Sequence, residues 1–452
     1  MNQGLTIVPP PVVGEALRRL EARGFRAWCV GGCVRDSLLG KAPSDWDIAT
    51  SALPQETKAC FAGERLVEAG AAHGTIAWVP SGDHPIEITT FRSDGAYTDG
   101  RHPDSVAFSR RLEDDLSRRD FTVNAMAWHP QRGLVDLFHG QEDLSAGLLR
   151  CVGEPARRFS EDALRILRCL RFSSQLGFAI HPDTARALWE KRELLLALSH
   201  ERVREELTKL LCGQGAAAVL RQYAAVVFTV LPELAPMKGC AQETPYHCYD
   251  VWEHTLHAVD YAPQQGDLRW AALLHDAGKP GRKTRSADGV AHFYGHPPES
   301  GRIARQLLTR LRFSNKERDW IAALVDHHED AMPMGEAHLK GLLGRYGERF
   351  VFTLFQLQEA DMSAKAPGVF ARRLPDLEES RALARAILER GDCLTLGDMA
   401  LTGEDLKALG VAPGPEMGKL LRRLLEAVQR GEAANTPAAL GELAKRLLKR
   451  GL

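Results

Sequence analysis

Strand-forming sequence is confined to the first third of this 452-residue chain, and that confinement limits the folds open to it. Short β-rich runs occur at Phe25–Val30, Asp47–Thr50, Thr75–Pro80 and Ile86–Phe91, with a weaker one at Val135–Phe138. Val12–Ala22 has the apolar spacing of a helix. From about Phe159 the strand runs cease, and Glu161–Leu176, Pro182–Leu198 and Glu201–Leu211 read as amphipathic helices. The length exceeds what one core can serve and suggests two to four domains. Pro232, Pro236 and Gly239 mark a break before a histidine-rich helical block, and Pro367, Gly368 and Pro375 mark another. The expectation is a small α/β head on a long helical body.

Fifty-eight basic residues nearly cancel fifty-nine acidic ones, so any grip on nucleic acid must come from local basic faces. Nine scattered cysteines form no CxxC pair and fit buried thiols in a reducing compartment better than a disulfide framework. Met1 to Pro11 shows neither a basic n-region nor an apolar h-region. The longest apolar run, Tyr223–Leu231, falls far short of the roughly 20 residues needed to span a bilayer. A cytoplasmic location without membrane contact is expected.

The chemistry-bearing residues of the head come in order. Gly31-Gly32-Cys33-Val34-Arg35-Asp36 follows a strand and opens a helix, a turn that lets backbone approach a phosphate closely, or serves only as a tight turn. In Asp45-Trp46-Asp47-Ile48, strand periodicity would put both carboxylates on one face with Trp46 turned into the core. Taken alone, Asp-x-Asp is usually a solvated turn. Glu87, in Glu87-Ile88-Thr89-Thr90-Phe91-Arg92, adds a third carboxylate from another strand. Acids so crowded are costly without a cation between them, and Mg²⁺ favours carboxylate oxygen plus substrate phosphate. Three acids beside a phosphate-binding turn describe two-metal phosphoryl or nucleotidyl transfer. Arg118-Arg119-Asp120-Phe121-Thr122-Val123-Asn124-Ala125 then offers arginine forks for triphosphate oxygens and Asp or Asn for a ribose hydroxyl, or a surface charge cluster at a helix start.

In Glu161-Asp162-Ala163-Leu164-Arg165-Ile166-Leu167-Arg168, helical spacing would put Asp162 and Arg165 on one face, with Arg168 continuing the row and Leu164, Leu167 and Leu170 facing the core. A salt-bridged surface helix is the ordinary reading. The other is base recognition: an Asp accepts from an exocyclic amino group and an Arg donates to a ring nitrogen or carbonyl. Cytosine and adenine carry amino groups where uracil and guanine carry oxygen.

The succession Gly-Gly-x-Val-Arg-Asp, Asp-x-Asp, Glu-x-x-Thr-Phe-Arg and Arg-Arg-Asp-Phe-Thr-x-Asn-Ala resembles the class II tRNA nucleotidyltransferase and bacterial poly(A) polymerase family. The resemblance implies an α+β protein: a nucleotidyltransferase head with a mixed or antiparallel sheet (1–150), then an elongated all-α neck (151–235), a body (236–370) and a tail (371–452). It implies Asp45 and Asp47 as Mg²⁺ ligands with Glu87 as third catalytic carboxylate. It also implies Asp162 and Arg165 as an amino-acid template, and nucleotide contacts from Gly32, Arg35, Arg119, Arg168 and Arg171. Ser93–Ser109 would be the loop that helps switch from C to A addition. Ser199-x-Glu201-Arg202-Val203-x-Glu205-Glu206-Leu207 matches the family's next helix and is expected to brace the template helix. Template-free addition of CCA to tRNA from CTP and ATP is therefore expected. Partial CC or A addition and poly(A) synthesis are the alternatives; against the latter, Val67–Thr75 lacks the Gly-Arg/Lys-Arg/Lys-Phe run of that branch.

Further along, His254, His275-Asp276, His296, His328 and Asp361 resemble the HD phosphohydrolase superfamily. That resemblance implies a second divalent metal held by His254, His275, Asp276 and Asp361, with His296 and His328 as further candidates, and hydrolysis of a phosphoester. A metal-dependent nucleotide phosphohydrolase is thus a third alternative for the whole chain. Lys419, Arg422, Arg423, Lys445, Arg446, Lys449 and Arg450 in the tail could grip tRNA phosphates or simply face solvent.

Overall fold

The β-rich runs assemble into one sheet. A computed structural model describes residues 7–82, 84–94 and 106–450. Its strands up to residue 136 are β1 (Ala27–Val30), β2 (Asp47–Thr50), β3 (Leu66–Val67), β4 (Thr75–Trp78), β5 (Ile86–Thr90), β6 (Arg92–Asp94), β7 (Val106–Phe108), β8 (Met126–His129) and β9 (Gly133–Asp136). Seven of these form a sheet in the order β3-β4-β5-β2-β1-β8-β9, while β6 and β7 pair separately. Strands β2 and β5 run parallel and the other neighbours antiparallel, so the sheet is mixed. Trp28, Val30, Ala49, Phe91, Leu112, Leu116 and Ala127 form a core against it. Strand β8 escapes a reading of the sequence because Met126, Ala127 and His129 are all buried, which removes the polar alternation that marks a half-buried strand.

The remainder is largely helical, with three departures from the expected pattern. Glu161–Leu176 is two helices, Pro155–Glu161 and Leu164–Leu176, separated by Asp162 in an extended conformation (φ −142°, ψ 105°). Its Oδ1 accepts the free Leu164 N–H at 3.0 Å, the competition with helix continuation that short acidic side chains offer. Asp162 and Arg165 therefore do not share a helix face. Pro182–Leu198 is a helix only to Glu190, followed by a 3₁₀ segment, Arg192–Ala197. Pro375 lies inside the helix Val369–Glu389, which continues because Leu377, Ser380, Ala384 and Ile387 are buried along it; the boundary expected at 370/371 falls within this helix.

The chain divides into two compact units, residues 1–232 and 233–452. In the first, Leu164–Leu176 packs on His200–Leu211, with Leu164, Leu167 and Leu170 buried. In the second, Val251–Tyr261, Gly266–Leu274, His296–Arg310, Asn315–His327 and Glu348–Ser363 pack together. Leu406, Leu420, Leu424 and Leu440 form a smaller core near the C-terminus. Among the described residues, no helix is long and apolar enough to cross a membrane.

Candidate active site

A cavity of about 650 Å³ opens within the first unit, where the β1 turn, the start of β2, the 118–124 segment and the helix Leu164–Leu176 meet. Gly31 makes the β1 turn at φ +76°, a conformation that favours glycine. A Cβ there would stand 2.8 Å from Arg119 Nη1, so the missing side chain leaves room for the guanidinium.

Asp47 begins β2, while Asp45 and Trp46 precede the strand. Both acids still line the cavity, and Trp46 is buried. Parallel pairing sets Asp47 in register with Glu87 on β5, side chains in register sharing a face of the sheet. Burial first, then the charge of Glu87, pushes the Asp47 carboxyl up to about 6. That cost is what a cation would relieve, and the oxygen donors suit a hard divalent ion. Glu87 itself is exposed and stands outside the cavity lining.

Arginines dominate the rest of the lining: Arg35, Arg119, Arg165, Arg168 and Arg171 line the cavity, together with Gly32 and Asp162. Arg35 donates to Asn124 Oδ1 at 2.7 Å. Arg119 is held by Asp115, a fully buried carboxylate that also pairs with Arg118. Arg168 donates to Asp120, and Arg171 to Glu206 at 3.0 Å. The guanidinium carbons of Arg35, Arg168 and Arg171 stand 5.1, 5.4 and 4.1 Å from the Phe172 ring centre. Arg165 is tied to Glu161 and to the carbonyls of Arg158 and Arg118, whereas Asp162 pairs with Arg202. Nε of Arg171 and Nη1 of Arg202 are buried without a partner, each at a cost of about 1–3 kcal/mol. The Ser93–Ser109 loop falls for the most part (residues 95–105) outside the described residues.

The second unit holds a different site. His254, His275, Asp276, His296, His328 and Asp361 are buried together. Each of the four histidines has Nδ1 at 2.7–3.1 Å from a main-chain carbonyl. A carbonyl can only accept, so Nδ1 carries the proton and the Nε2 lone pair is free to bind a metal. Around Asp276, His275, His254 and Lys279 crowd Oδ2 at 3.2, 3.4 and 2.7 Å, and His296 and His328 crowd Oδ1 at 3.2 and 3.7 Å. Neither oxygen makes an aligned hydrogen bond. Two sets of donors result, His254 with His275 and His296 with His328, sharing Asp276. Asp361 approaches His254 at 2.9 Å. Imidazole nitrogens converging on a shared carboxylate fit a divalent transition metal.

Residues 27–150 match the poly A polymerase head domain. Residues 177–237 match the RNA and SrmB-binding site of polymerase A, and residues 299–444 match tRNA nucleotidyltransferase domain 2. The CCA-adding enzyme of Limosilactobacillus fermentum is 36% identical over 433 residues, 96% of each chain. That of Lactobacillus delbrueckii subsp. bulgaricus is 34% identical over 429 residues, 94% of this chain and 95% of the relative. The Bacillus stearothermophilus CCA-adding enzyme, solved in complex with CTP, superposes with a TM-score of 0.74 at 31% identity, covering 98% of this chain and all of that one. The chain belongs to the CCA-adding enzyme family. It is thus a tRNA nucleotidyltransferase.

The motifs of a CCA-adding enzyme mark the cavity walls. Of the residues that hold those walls, Glu206 lies within the Ser199–Leu207 motif, whereas Asp115 and Phe172 belong to none; only their position, one turn or one residue from a motif arginine, points to them.

Proposed function

We propose that this chain adds CCA to the 3′ end of tRNA from CTP and ATP without a nucleic-acid template, with Asp45 and Asp47 as its catalytic carboxylates, Glu87 beside them, and Asp162 and Arg165 reading the base. The observation that carries this is one cavity that Asp45, Asp47 and Asp162 line together with Arg35, Arg119, Arg165, Arg168 and Arg171. Mg²⁺ bound by Asp45 and Asp47 would supply activation of the tRNA 3′-hydroxyl and neutralise charge on the departing pyrophosphate. Arg35, Arg119, Arg168 and Arg171 take the triphosphate through paired N–H groups, and Gly32 gives the backbone close access to it. Asp162 accepts from the amino group of cytosine or adenine and repels the oxygen of uracil or guanine, while Arg165 donates to the ring. Residues 1–150 serve as the head, 151–235 as the neck and 236–452 as body and tail, the tail meeting tRNA beyond the helix Val369–Glu389. Its substrates place its work in the cytoplasm.

The test offers each nucleoside triphosphate, with Mg²⁺, to tRNA lacking three, two or one of its terminal nucleotides, and sequences the products. Two C and one A followed by a stop are expected. Incorporation of C alone or A alone would mean a partial enzyme, and a long A tract a poly(A) polymerase. Asp162→Ala and Arg165→Ala should relax selection against UTP and GTP.

The buried His/Asp cluster favours a second activity in residues 233–452, metal-dependent phosphoester hydrolysis at His254, His275, Asp276 and Asp361, with His296 and His328 completing the donor set.

A further inference from the structure

His327 and His328 stand side by side where the helix Asn315–His327 ends, and neighbours on a helix point about 100° apart. His328 turns inward to the Asp276 cluster, its Nε2 3.7 Å from Oδ1. His327 turns to a different carboxylate. Its Nδ1 stands 2.8 Å from Asp330 Oδ2, and Nε2 of His338, on the helix Glu336–Tyr346, stands 2.7 Å from the same oxygen. Two imidazoles thus aim at one carboxylate oxygen, and the three residues bring their donor atoms within 4.8 Å of one another. None of these donors belongs to the Asp276 cluster.

The surroundings hold this trio in place. The Asp330 N–H donates to the His327 carbonyl at 3.0 Å, and the Asp330 carbonyl accepts from Gln358 Nε2 at 3.2 Å. The His327 ring packs against Tyr346 and Phe350, with ring centres 5.7 and 6.1 Å away. His327 and His338 line a cavity of about 460 Å³ that Arg345, Gln429 and Arg430 line with them. Tetrahedral ligation at about 2.1 Å spaces donor atoms about 3.4 Å apart. The present contacts need open by only about 0.6 Å to reach that spacing, and side chains that keep 21–46% exposure have the freedom to do so.

We propose that His327, Asp330 and His338 form a metal site of their own, for one divalent transition ion such as Zn²⁺ or Co²⁺, on the wall of this cavity. Two imidazole nitrogens and a carboxylate oxygen suit such an ion. The cation takes the place of the two hydrogens now shared with Oδ2, each neutral ring then carrying its proton on its other nitrogen. Three protein ligands leave one position of a tetrahedral ion for water from the cavity. Because its ligands are partly exposed, the site exchanges its ion with solvent and is filled by added metal, unlike the buried cluster around Asp276.

The experiment titrates Co²⁺ into full-length Asp276→Asn protein, in which the buried cluster is disabled, and into the same protein carrying His338→Ala or Asp330→Asn. Equilibrium dialysis counts the ions, and visible absorption reports nitrogen ligation. The parent should bind one more ion per chain than either double variant, with the visible band lost in both. Affinity at this site should fall by at least about a hundredfold, the upper worth of groups that merely orient a metal ligand. Equal binding and an equal spectrum in parent and double variants would overturn the proposal. Should Asp276→Asn not fold, His338→Ala in the wild-type chain decides, since that side chain is 46% exposed. A loss of one exchangeable ion per chain there supports the site, and an unchanged count overturns it.

Discussion

Asp120 takes both Nε and Nη2 of Arg168 on a single carboxylate oxygen, at 2.8 and 2.6 Å. Its other oxygen accepts the Phe121 N–H at 2.8 Å and Asn124 Nδ2 at 3.1 Å. The pair joins the Arg-Arg-Asp segment to the helix carrying Arg165 and Arg171, so the cavity wall depends on a contact between residues 48 apart in sequence. Burial alone would raise the Asp120 carboxyl, but the Arg168 guanidinium, with Asn124 and the Phe121 N–H, holds it well below the usual carboxylate range.

Asp120→Ala leaves the half-buried Arg168 guanidinium without its partner, and should cost the first unit about 1–3 kcal/mol. Because the folded-state value is depressed, the pair's contribution is present at neutral pH and is lost as pH falls below roughly 4. Urea denaturation at pH 7 and at low pH checks both points. A midpoint unmoved at neutral pH would show that Asp120 does not anchor this helix.

Asp47 behaves oppositely. Its folded-state value, about 6, lies above that of an unfolded aspartate, so ionising it costs stability above that pH and costs nothing below roughly pH 4. Asp47→Asn should therefore stabilise the metal-free protein by about 1–3 kcal/mol at pH 7, while abolishing nucleotide incorporation. Added Mg²⁺ should narrow the gap, because the cation steadies only the wild-type carboxylate. Melting curves with and without Mg²⁺ measure this, and a destabilised Asp47→Asn would count against a charge held under strain.

Gly31→Ala combines a left-handed backbone at φ +76° with a Cβ 2.8 Å from Arg119 Nη1. It should cost about 1–2 kcal/mol and weaken CTP and ATP binding by about tenfold as Arg119 is pushed aside. Equilibrium dialysis with labelled CTP reads the second effect, which backbone strain alone would not produce.

Asp276→Asn should remove tightly held divalent metal from the second unit, since Asp276 is shared by both histidine pairs. Metal content after dialysis, by plasma mass spectrometry, should fall from stoichiometric to trace. CCA addition should persist, because every residue of the nucleotide cavity lies in residues 1–232. Joint loss of both would tie the cluster to nucleotidyl transfer.

Local pattern and residue chemistry determined much of this protein from sequence. The run Asp47–Thr50 is a strand to the residue, and the order of glycines, acids and arginines marks the cavity lining. The order of His254, His275, Asp276, His296, His328 and Asp361 along the chain is enough to mark them as a set. Such features depend on hydrophobic period and side-chain type, which a short window contains. Tertiary structure alone decided that Glu87 meets Asp47 through a parallel register, that Asp162 breaks its helix to cap the next, and that Arg202 rather than Arg165 holds it. Each follows from charges and unsatisfied N–H groups brought together by folding, and the favoured partner of such a group is whichever residue the packed chain carries nearest to it.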